Sequence, residues 1–205
     1  MRKVLVTAAL LSILSAAPAR ADRTLDAFSA KAASSCIDFS YSFTVKADVP
    51  MSGSGTGTVR GGGYHVTGNG LDIWCDGTRR WMVDKGSKEV IIESADDAGD
   101  AFTINPALFL TDLESSFNEV SAGESLFRGR TYHCVTLSPK VSGSVAQVKL
   151  YFSGSELKGA SVKLKDGTVA EFELSGVRFS DTEKAFTFDV KALDKSWVIT
   201  DLSDF

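Results

Sequence analysis

Short runs of alternating apolar and polar residues, separated by glycine-containing turns, most restrict the folds open to this chain. In the first run, polar residues separate four large apolar side chains: Phe39, Tyr41, Phe43 and Val45. A period of two is the pattern of a strand with one buried face. Asp76-Gly77 lies between two tryptophan-bearing runs and is a typical hairpin turn, and Lys85-Gly86-Ser87 predicts a second hairpin. The chain is therefore predicted to be mainly β.

The same pattern continues toward the C-terminus. Further strands are predicted at residues 64–67, 71–75, 80–84, 89–93, 118–122, 130–137, 146–152, 159–165 and 168–179. Many short antiparallel strands with tight turns are typical of a sandwich, a barrel or one strongly curved sheet. The composition shows no linker and no repeat of fixed period, so residues 22–205 are predicted to form one domain.

Residues 22–35 are predicted to form a helix that covers part of the sheet. Three apolar residues fall on one stripe of this helix: Leu25, Phe28 and Ala32. Asp22 or Thr24 can cap its start, because a short polar side chain accepts hydrogen bonds from the first helical turn.

A second, shorter helix is predicted after Asn105, which can act as its N-cap, while Pro106 suits the first helical position. Thr111 with Glu114 could cap a further short turn. The segment is apolar nearly all round, at Leu108, Phe109, Leu110 and Leu113. Such a helix is either buried on both sides or buried on one side while it offers the other to a ligand.

The N-terminus has the features of an export signal. Arg2 and Lys3 precede an apolar run over residues 4–17, and Ala19-Arg20-Ala21 has the small-x-small form of a signal-peptidase site. Residues 1–21 are therefore predicted to be a cleaved signal peptide, and the remainder is predicted to be periplasmic. An N-terminal anchor helix is the alternative, although the run is shorter than the roughly 20 apolar residues of a membrane span.

Several classes of function find no support in the sequence. The glycine-rich stretches, which we attribute to turns, bulges and sheet curvature, contain no P-loop motif, and no G-x-S-x-G elbow supplies a nucleophile. The formal net charge of −4 argues against nucleic acid as a partner. Three cysteines allow a Cys36–Cys134 or a Cys75–Cys134 disulfide, or buried free thiols. We expect no enzymatic activity, no metal and no cofactor.

Aromatic residues carry the remaining functional signal, with 13 Phe, 4 Tyr and 3 Trp. A curved sheet with an aromatic concave face, covered by two small helices, would enclose a cavity for acyl chains or other apolar ligands. The residues predicted to line this cavity are Phe39, Tyr41, Phe43, Trp74, Trp81, Val83, Leu108, Phe109 and Leu113. The residues predicted to form its lid are Leu25, Phe28, Pro106 and Leu110. For each strand residue, a plain core role is the alternative.

Four motifs, in order, resemble those of the periplasmic outer-membrane lipoprotein carrier (LolA-like) proteins. They are Gly55-x-Gly57, Asp76-Gly77-Thr78-Arg79-Arg80-Trp81-Met82-Val83 with Lys88-Glu89-Val90, Asn105-Pro106-Ala107-Leu108-Phe109-Leu110, and Phe186-Thr187-Phe188. The resemblance runs from about Asp22 to the C-terminus. It implies an unclosed antiparallel β-barrel, or strongly curved half-barrel, with a small helical lid.

The resemblance also implies a function. LolA-like proteins shield the acyl chains of lipoproteins during transport across the periplasm, so we expect lipoprotein acyl chains or a similar lipid as cargo. Inner-membrane donor and outer-membrane acceptor proteins would be partners. Where the family has an arginine that helps hold the lid, Arg60 is the nearest counterpart. The alternative is a non-enzymatic envelope interaction or sensor module that docks a protein on the same sheet, and in either case we expect a monomer.

Overall fold

The structure is a computed structural model that describes residues 22–95, 105–110 and 113–203, apart from the side chains of Leu108 and Glu114. It contains two helices, α1 (Arg23–Ser34) and α2 (Leu113–Ser116), and two 3₁₀ turns, Pro106–Phe109 and Val190–Ala192. The strands are β1 (Cys36–Lys46), β2 (Met51–Arg60), β3 (Gly63–Gly68), β4 (Leu71–Cys75), β5 (Arg79–Asp84), β6 (Glu89–Ser94), β7 (Phe117–Phe127), β8 (Arg130–Pro139), β9 (Val145–Ser153), β10 (Glu156–Leu164), β11 (Val169–Ser180) and β12 (Val198–Asp201).

All twelve strands belong to one sheet, in the order β12-β6-β5-β4-β3-β2-β1-β11-β10-β9-β8-β7. Neighbouring strands are antiparallel, except that β12 runs parallel to β6. Because β12 and β7 are both edges, the sheet is not closed within the described residues. The predicted curved half-barrel with a small helical lid is confirmed, and the parallel C-terminal strand departs from the all-antiparallel prediction. No described helix is long and apolar enough to span a membrane.

The inner face of the sheet, which α1 and the Pro106–Phe109 turn cover, holds the main core. Cross-strand pairing produces continuous rows of residues on this face. One row crosses β1 to β5 and contains Phe39, Gly57, Val66, Ile73 and Met82. Another crosses β1, β11, β10, β9 and β8 and contains Phe43, Phe172, Ala160, Leu150 and Val135. One continuous apolar surface therefore lines most of the half-barrel.

The glycines of β2 make room for the aromatic side chains of β1. A Cβ atom on Gly57 would lie 2.2 Å from Cζ of Phe39, and one on Gly55 would lie 2.9 Å from Cε1 of Tyr41. Such distances are far below van der Waals contact, so the rings lie across β2 where side chains would otherwise stand. These glycines are inside a strand, and the attribution of this stretch to turns is corrected accordingly.

Helix α1 begins as predicted from its N-cap. The Asp22 carboxylate accepts hydrogen bonds from the backbone N–H groups of Thr24 (2.9 Å) and Leu25 (3.2 Å), so Asp22 rather than Thr24 is the cap. Its apolar stripe packs on the inner face, where the Phe28 ring meets Phe152 edge-on, with ring centroids 5.6 Å apart. The helix therefore covers the β9 part of the half-barrel.

The outer face of the sheet carries two smaller apolar clusters. On β5 and β6, residues Trp81, Val83, Val90 and Ile92 are buried beneath the C-terminal segment (residues 181–197). On β7 to β9, the rings of Phe127 and Tyr151 stack with centroids 4.3 Å apart. Cys36, Cys75 and Cys134 are all buried free thiols, the third of the alternatives above.

Candidate hydrophobic binding site

The lid segment (residues 105–110) is a short 3₁₀ turn set into the half-barrel. The Asn105 side chain accepts a hydrogen bond from the Ala107 N–H at 3.0 Å, and Pro106 occupies the first turn. The Leu110 N–H closes the turn by donating to the Ala107 carbonyl oxygen at 2.9 Å. The predicted cap and the position of the proline are therefore correct, although the turn is 3₁₀ rather than α.

Phe109 connects the lid segment to the aromatic inner face. Its side chain is fully buried, and its ring centroid lies 5.2 Å from that of Phe172. Phe172 in turn contacts Phe43, at 6.1 Å, and Tyr41, at 6.4 Å. Leu110 is also buried. The middle of the inner face is thus occupied by the protein's own lid.

A pocket of about 330 Å³ lies between α1, α2, β7 and β8. It is lined by Leu25, Asp26, Leu113, Phe117, Asn118, Glu119 and Leu137. A smaller pocket of about 90 Å³ lies over β1 to β4, where Tyr41 and Phe43 form part of its wall. Unfilled space therefore exists over two different parts of the sheet.

Polar contacts hold α1 against the wall of the larger pocket. The Asp22 backbone N–H donates to Oε2 of Glu119 at 2.8 Å, and Nε2 of His133 lies 2.9 Å from Oδ2 of Asp22. Burial acts to raise the pKa of Asp22, but hydrogen bonds from Leu25 and His133 outweigh it and hold this pKa below its ordinary value. No signal in the sequence pointed to His133 or Glu119, because both lie far from Asp22 along the chain.

The inner face also contains a buried arginine that the sequence analysis did not single out. Arg80 on β5 pairs with Cys75 on β4, and Cys75 pairs in turn with Tyr64 on β3. Its side chain is 6% exposed and forms an ion pair with Glu93. The sequence contained one signal for this position. Arg80 is two residues before Met82 in an alternating strand, so the two side chains lie on the same face of β5.

Most of the predicted lining residues come together on the inner face or the lid. Phe39, Tyr41 and Phe43 are buried on β1, while Leu25, Phe28, Pro106, Phe109, Leu110 and Leu113 are buried in the helices and lid segment that cover the sheet. The side chain of Leu108 lies outside the described part of the structure. These placements bring the β1 aromatic residues and the lid into one apolar layer.

Three predicted lining residues lie elsewhere. Trp74 pairs with Trp81 across β4 and β5, and Val83 follows Trp81 on the same side of β5. All three belong to the outer cluster, where Phe188 and Trp197 of the C-terminal segment pack. Their predicted place in the same cavity as Phe39 is therefore wrong, because they have the opposite strand parity to Ile73 and Met82.

Arg60 has a different role from that of a lid-holding arginine. Its Nη1 donates to the carbonyl oxygens of Thr182, at 2.6 Å, and Asp181, at 3.2 Å. Both acceptors belong to the C-terminal segment, so the structure corrects the suggestion that Arg60 is the counterpart of the family's lid arginine.

Comparison with known proteins agrees with this architecture. No protein-family model and no curated protein matches the sequence. Among solved structures, the chain is similar to an uncharacterized conserved protein from Thermus thermophilus, with 10% identity, a TM-score of 0.51, and coverage of 87% of this chain and 96% of that one. It is also similar to a LolA superfamily protein from Nitrosomonas europaea, with 14% identity, a TM-score of 0.45, and coverage of 80% and 97%. In its fold, the chain is similar to the Thermus thermophilus protein.

A third solved structure is a domain from Vibrio parahaemolyticus assigned as an outer membrane lipoprotein-sorting protein. It has 11% identity and a TM-score of 0.46, and the match covers 78% of this chain and 92% of that one. Identities this low concern the fold alone. Function has to be argued from the inner face of this chain.

Proposed function

We propose that this LolA-like chain binds the acyl chains of a lipoprotein, or of a similar lipid, on the inner face of the half-barrel and carries them through the periplasm. The observation that carries the proposal is the apolar inner face, where the fully buried Phe109 of the lid segment packs on Phe172 and a pocket of about 330 Å³ lies over another part of the sheet. Small-molecule sites span about 300–1,000 Å³ and are mostly apolar. A hydrocarbon chain could occupy the inner face by taking the place of the lid side chains.

The energies of burial favour such an exchange. Exposing Phe109 and Leu110 costs about 3–6 kcal/mol, at roughly 1.5–3 kcal/mol for each large apolar side chain. An acyl chain that buries about 10 methylenes gains about 8 kcal/mol, at roughly 0.8 kcal/mol for each CH₂. The ligand outweighs the lid by only a few kcal/mol. Binding can therefore be tight and still be reversed by a site with higher affinity.

Export and partners belong to the same proposal. Residues 1–21 lie outside the described part of the structure, and we propose that they are a signal peptide that directs the chain to the periplasm. An inner-membrane donor would load the carrier, and an outer-membrane acceptor would unload it, because release requires a competing site. The carrier would act as a monomer and without catalysis.

Native mass spectrometry of residues 22–205, purified from a periplasmic extract, tests this proposal. We expect an adduct with the mass of a lipid or an acylated peptide, lost on gentle activation, because an apolar ligand is held without covalent bonds. Uptake of decylpyrene, a fluorescent hydrocarbon, should accompany it. Bare protein that also fails to take up decylpyrene would show that the inner face is only a core.

A module that docks a protein partner is the second candidate. The observation that favours it is the exposure of apolar residues on both edge strands, with Leu126 70% exposed on β7 and Val198 57% exposed on β12. An edge strand offers unpaired backbone groups to an added strand. Two results together would support this candidate. Decylpyrene would fail to bind, and an envelope protein would bind to the wild type but not to a variant with proline substituted into an edge strand.

A further inference from the structure

Arg80 is a charged side chain set into the apolar inner face. The row that contains it continues from Cys75 and Tyr64 to Val59 on β2, and all of these neighbours belong to the main core. The next row along the strands contains Met82, Ile73 and Val66 and leads to the aromatic side chains of β1. Arg80 therefore lies at one end of the surface on which the acyl chain is proposed to bind.

Glu93 satisfies only part of the Arg80 guanidinium. Nε donates to Oε1 of Glu93 at 2.8 Å, and Nη2 donates to the same oxygen at 2.5 Å. Nη1 is buried and has no hydrogen-bond partner in the described part of the chain. An unsatisfied buried donor costs about 1–3 kcal/mol, and more on a charged group. An oxygen atom supplied by a ligand would remove that cost.

We propose that Nη1 of Arg80 binds a neutral carbonyl oxygen, the ester or amide carbonyl at the head of an acyl chain. This inference rests on the proposed function and deepens it by giving the bound chain a direction. The carbonyl end lies at Arg80, and the hydrocarbon extends along the row that runs from Met82 to Phe39. The site thereby selects acyl groups over plain hydrocarbons.

The charges around Arg80 favour a neutral acceptor over a carboxylate. Arg80 and Glu93 already cancel each other, and their side chains are only 6% and 17% exposed. A second carboxylate would leave a net negative charge in an apolar environment, which is costly. Burial raises the pKa of Tyr64 to about 12, so its hydroxyl keeps its proton beside the guanidinium and adds no charge.

Three matched probes test the inference: methyl pyrenedecanoate, pyrenedecanoic acid and decylpyrene. Their dissociation constants are measured with the wild type, with Glu93→Gln and with the double variant Arg80→Met/Glu93→Gln. The two variants differ only at Arg80, and neither leaves Glu93 as an unpaired buried charge. With Arg80 present, the ester should bind roughly tenfold more tightly than decylpyrene, because a hydrogen bond to a charged donor is added. In the wild type, where Glu93 balances the charge of Arg80, the ester should also bind more tightly than the acid; with Glu93→Gln this order should reverse, because the guanidinium has lost its counter-ion. Without Arg80, the ester and decylpyrene should bind alike.

The outcomes separate this inference from the proposed function. If no probe binds the wild-type chain, the proposed function fails. If all probes bind and the ester preference is the same with and without Arg80, only the assignment of Arg80 fails, and its ion pair is structural. Circular dichroism checks that each variant is folded. Should the double variant unfold, Arg80→Lys replaces it. The lysine ammonium group is expected to pair with Glu93 and leave no donor for the ester carbonyl, so the ester preference should again be lost.

Discussion

At the scale of single residues, the absence of side chains on β2 decides whether the aromatic residues of β1 can lie on the inner face. Phe39 pairs with Gly57, and Tyr41 pairs with Gly55. Glycine in a strand is intrinsically unfavourable by roughly 0.5–1 kcal/mol relative to alanine. Here that cost is offset because each ring packs on the backbone of the neighbouring strand. The glycines are therefore part of the binding surface.

Gly57→Ala should destabilise the fold by about 1–3 kcal/mol, the usual effect of overpacking a core. The added Cβ would lie 2.2 Å from Cζ of Phe39, whose ring is 3% exposed and has little room to move. Urea unfolding followed by tryptophan fluorescence measures the change. Gly123→Ala on β7 is the matched control, because a Cβ there meets nothing within 4 Å, and it should leave stability unchanged or slightly raised. Equal effects of both changes would contradict the packing argument.

The role of these glycines could not be predicted from the sequence. Glycine clusters are most often turns, and nothing local distinguishes a turn from a strand that receives the rings of its neighbour. The distinction depends on the pairing register between β1 and β2, which places Phe39 beside Gly57. A register is a property of two strands, so one strand's composition does not determine it.

At the scale of elements, the lid segment is the part of the fold that the proposed function needs to move. It contributes one fully buried aromatic ring, Phe109, to the inner face, where that ring packs on Phe172. Its cap and its proline were predictable because they follow local rules for helix starts. The length of the turn was not, because four residues of 3₁₀ turn and a longer α-helix share the same start signal.

Phe109→Ala should lower stability and raise ligand affinity at the same time. Stability should fall by about 3–5 kcal/mol, the usual cost of truncating a buried phenylalanine. Decylpyrene should bind roughly ten- to a hundredfold more tightly, because displacing a lid without the Phe109 ring costs about 1.5–3 kcal/mol less. Thermal unfolding and a fluorescence titration measure the two effects.

Phe127→Ala is the matched control for this prediction. Phe127 is a phenylalanine of similar burial, 5% exposed, but it stacks on Tyr151 on the outer face. Its removal should cost comparable stability and leave decylpyrene affinity unchanged. Weaker binding by Phe109→Ala than by wild type would show that Phe109 supports the ligand instead of competing with it.

At the scale of the whole molecule, one sheet separates two apolar layers with different tasks. The inner layer contains the β1 aromatic residues and the lid, and the outer layer joins β4–β6 to the C-terminal segment. The alternation of residues predicted the strands, the turns and the open half-barrel. It did not predict which parity faces inward on β4 and β5, because both faces of those strands are covered and both parities are apolar. Trp74 and Trp81 were assigned to the wrong layer for this reason.

Trp81 and Met82 test that separation, because they are neighbours in sequence on opposite faces of β5. Trp81→Ala should lower stability by about 3–5 kcal/mol, yet it should leave the affinity for decylpyrene unchanged, since the outer cluster shares no contacts with the ligand. Met82→Asp places a carboxylate among the inner residues, where burying a charge under a hydrocarbon is costly, so affinity should fall roughly tenfold or more. Fluorescence titrations of both variants, made well below their melting temperatures, compare the two faces directly. A similar loss of affinity in both would mean that binding follows global stability; a loss confined to Met82→Asp would place the ligand on the inner face.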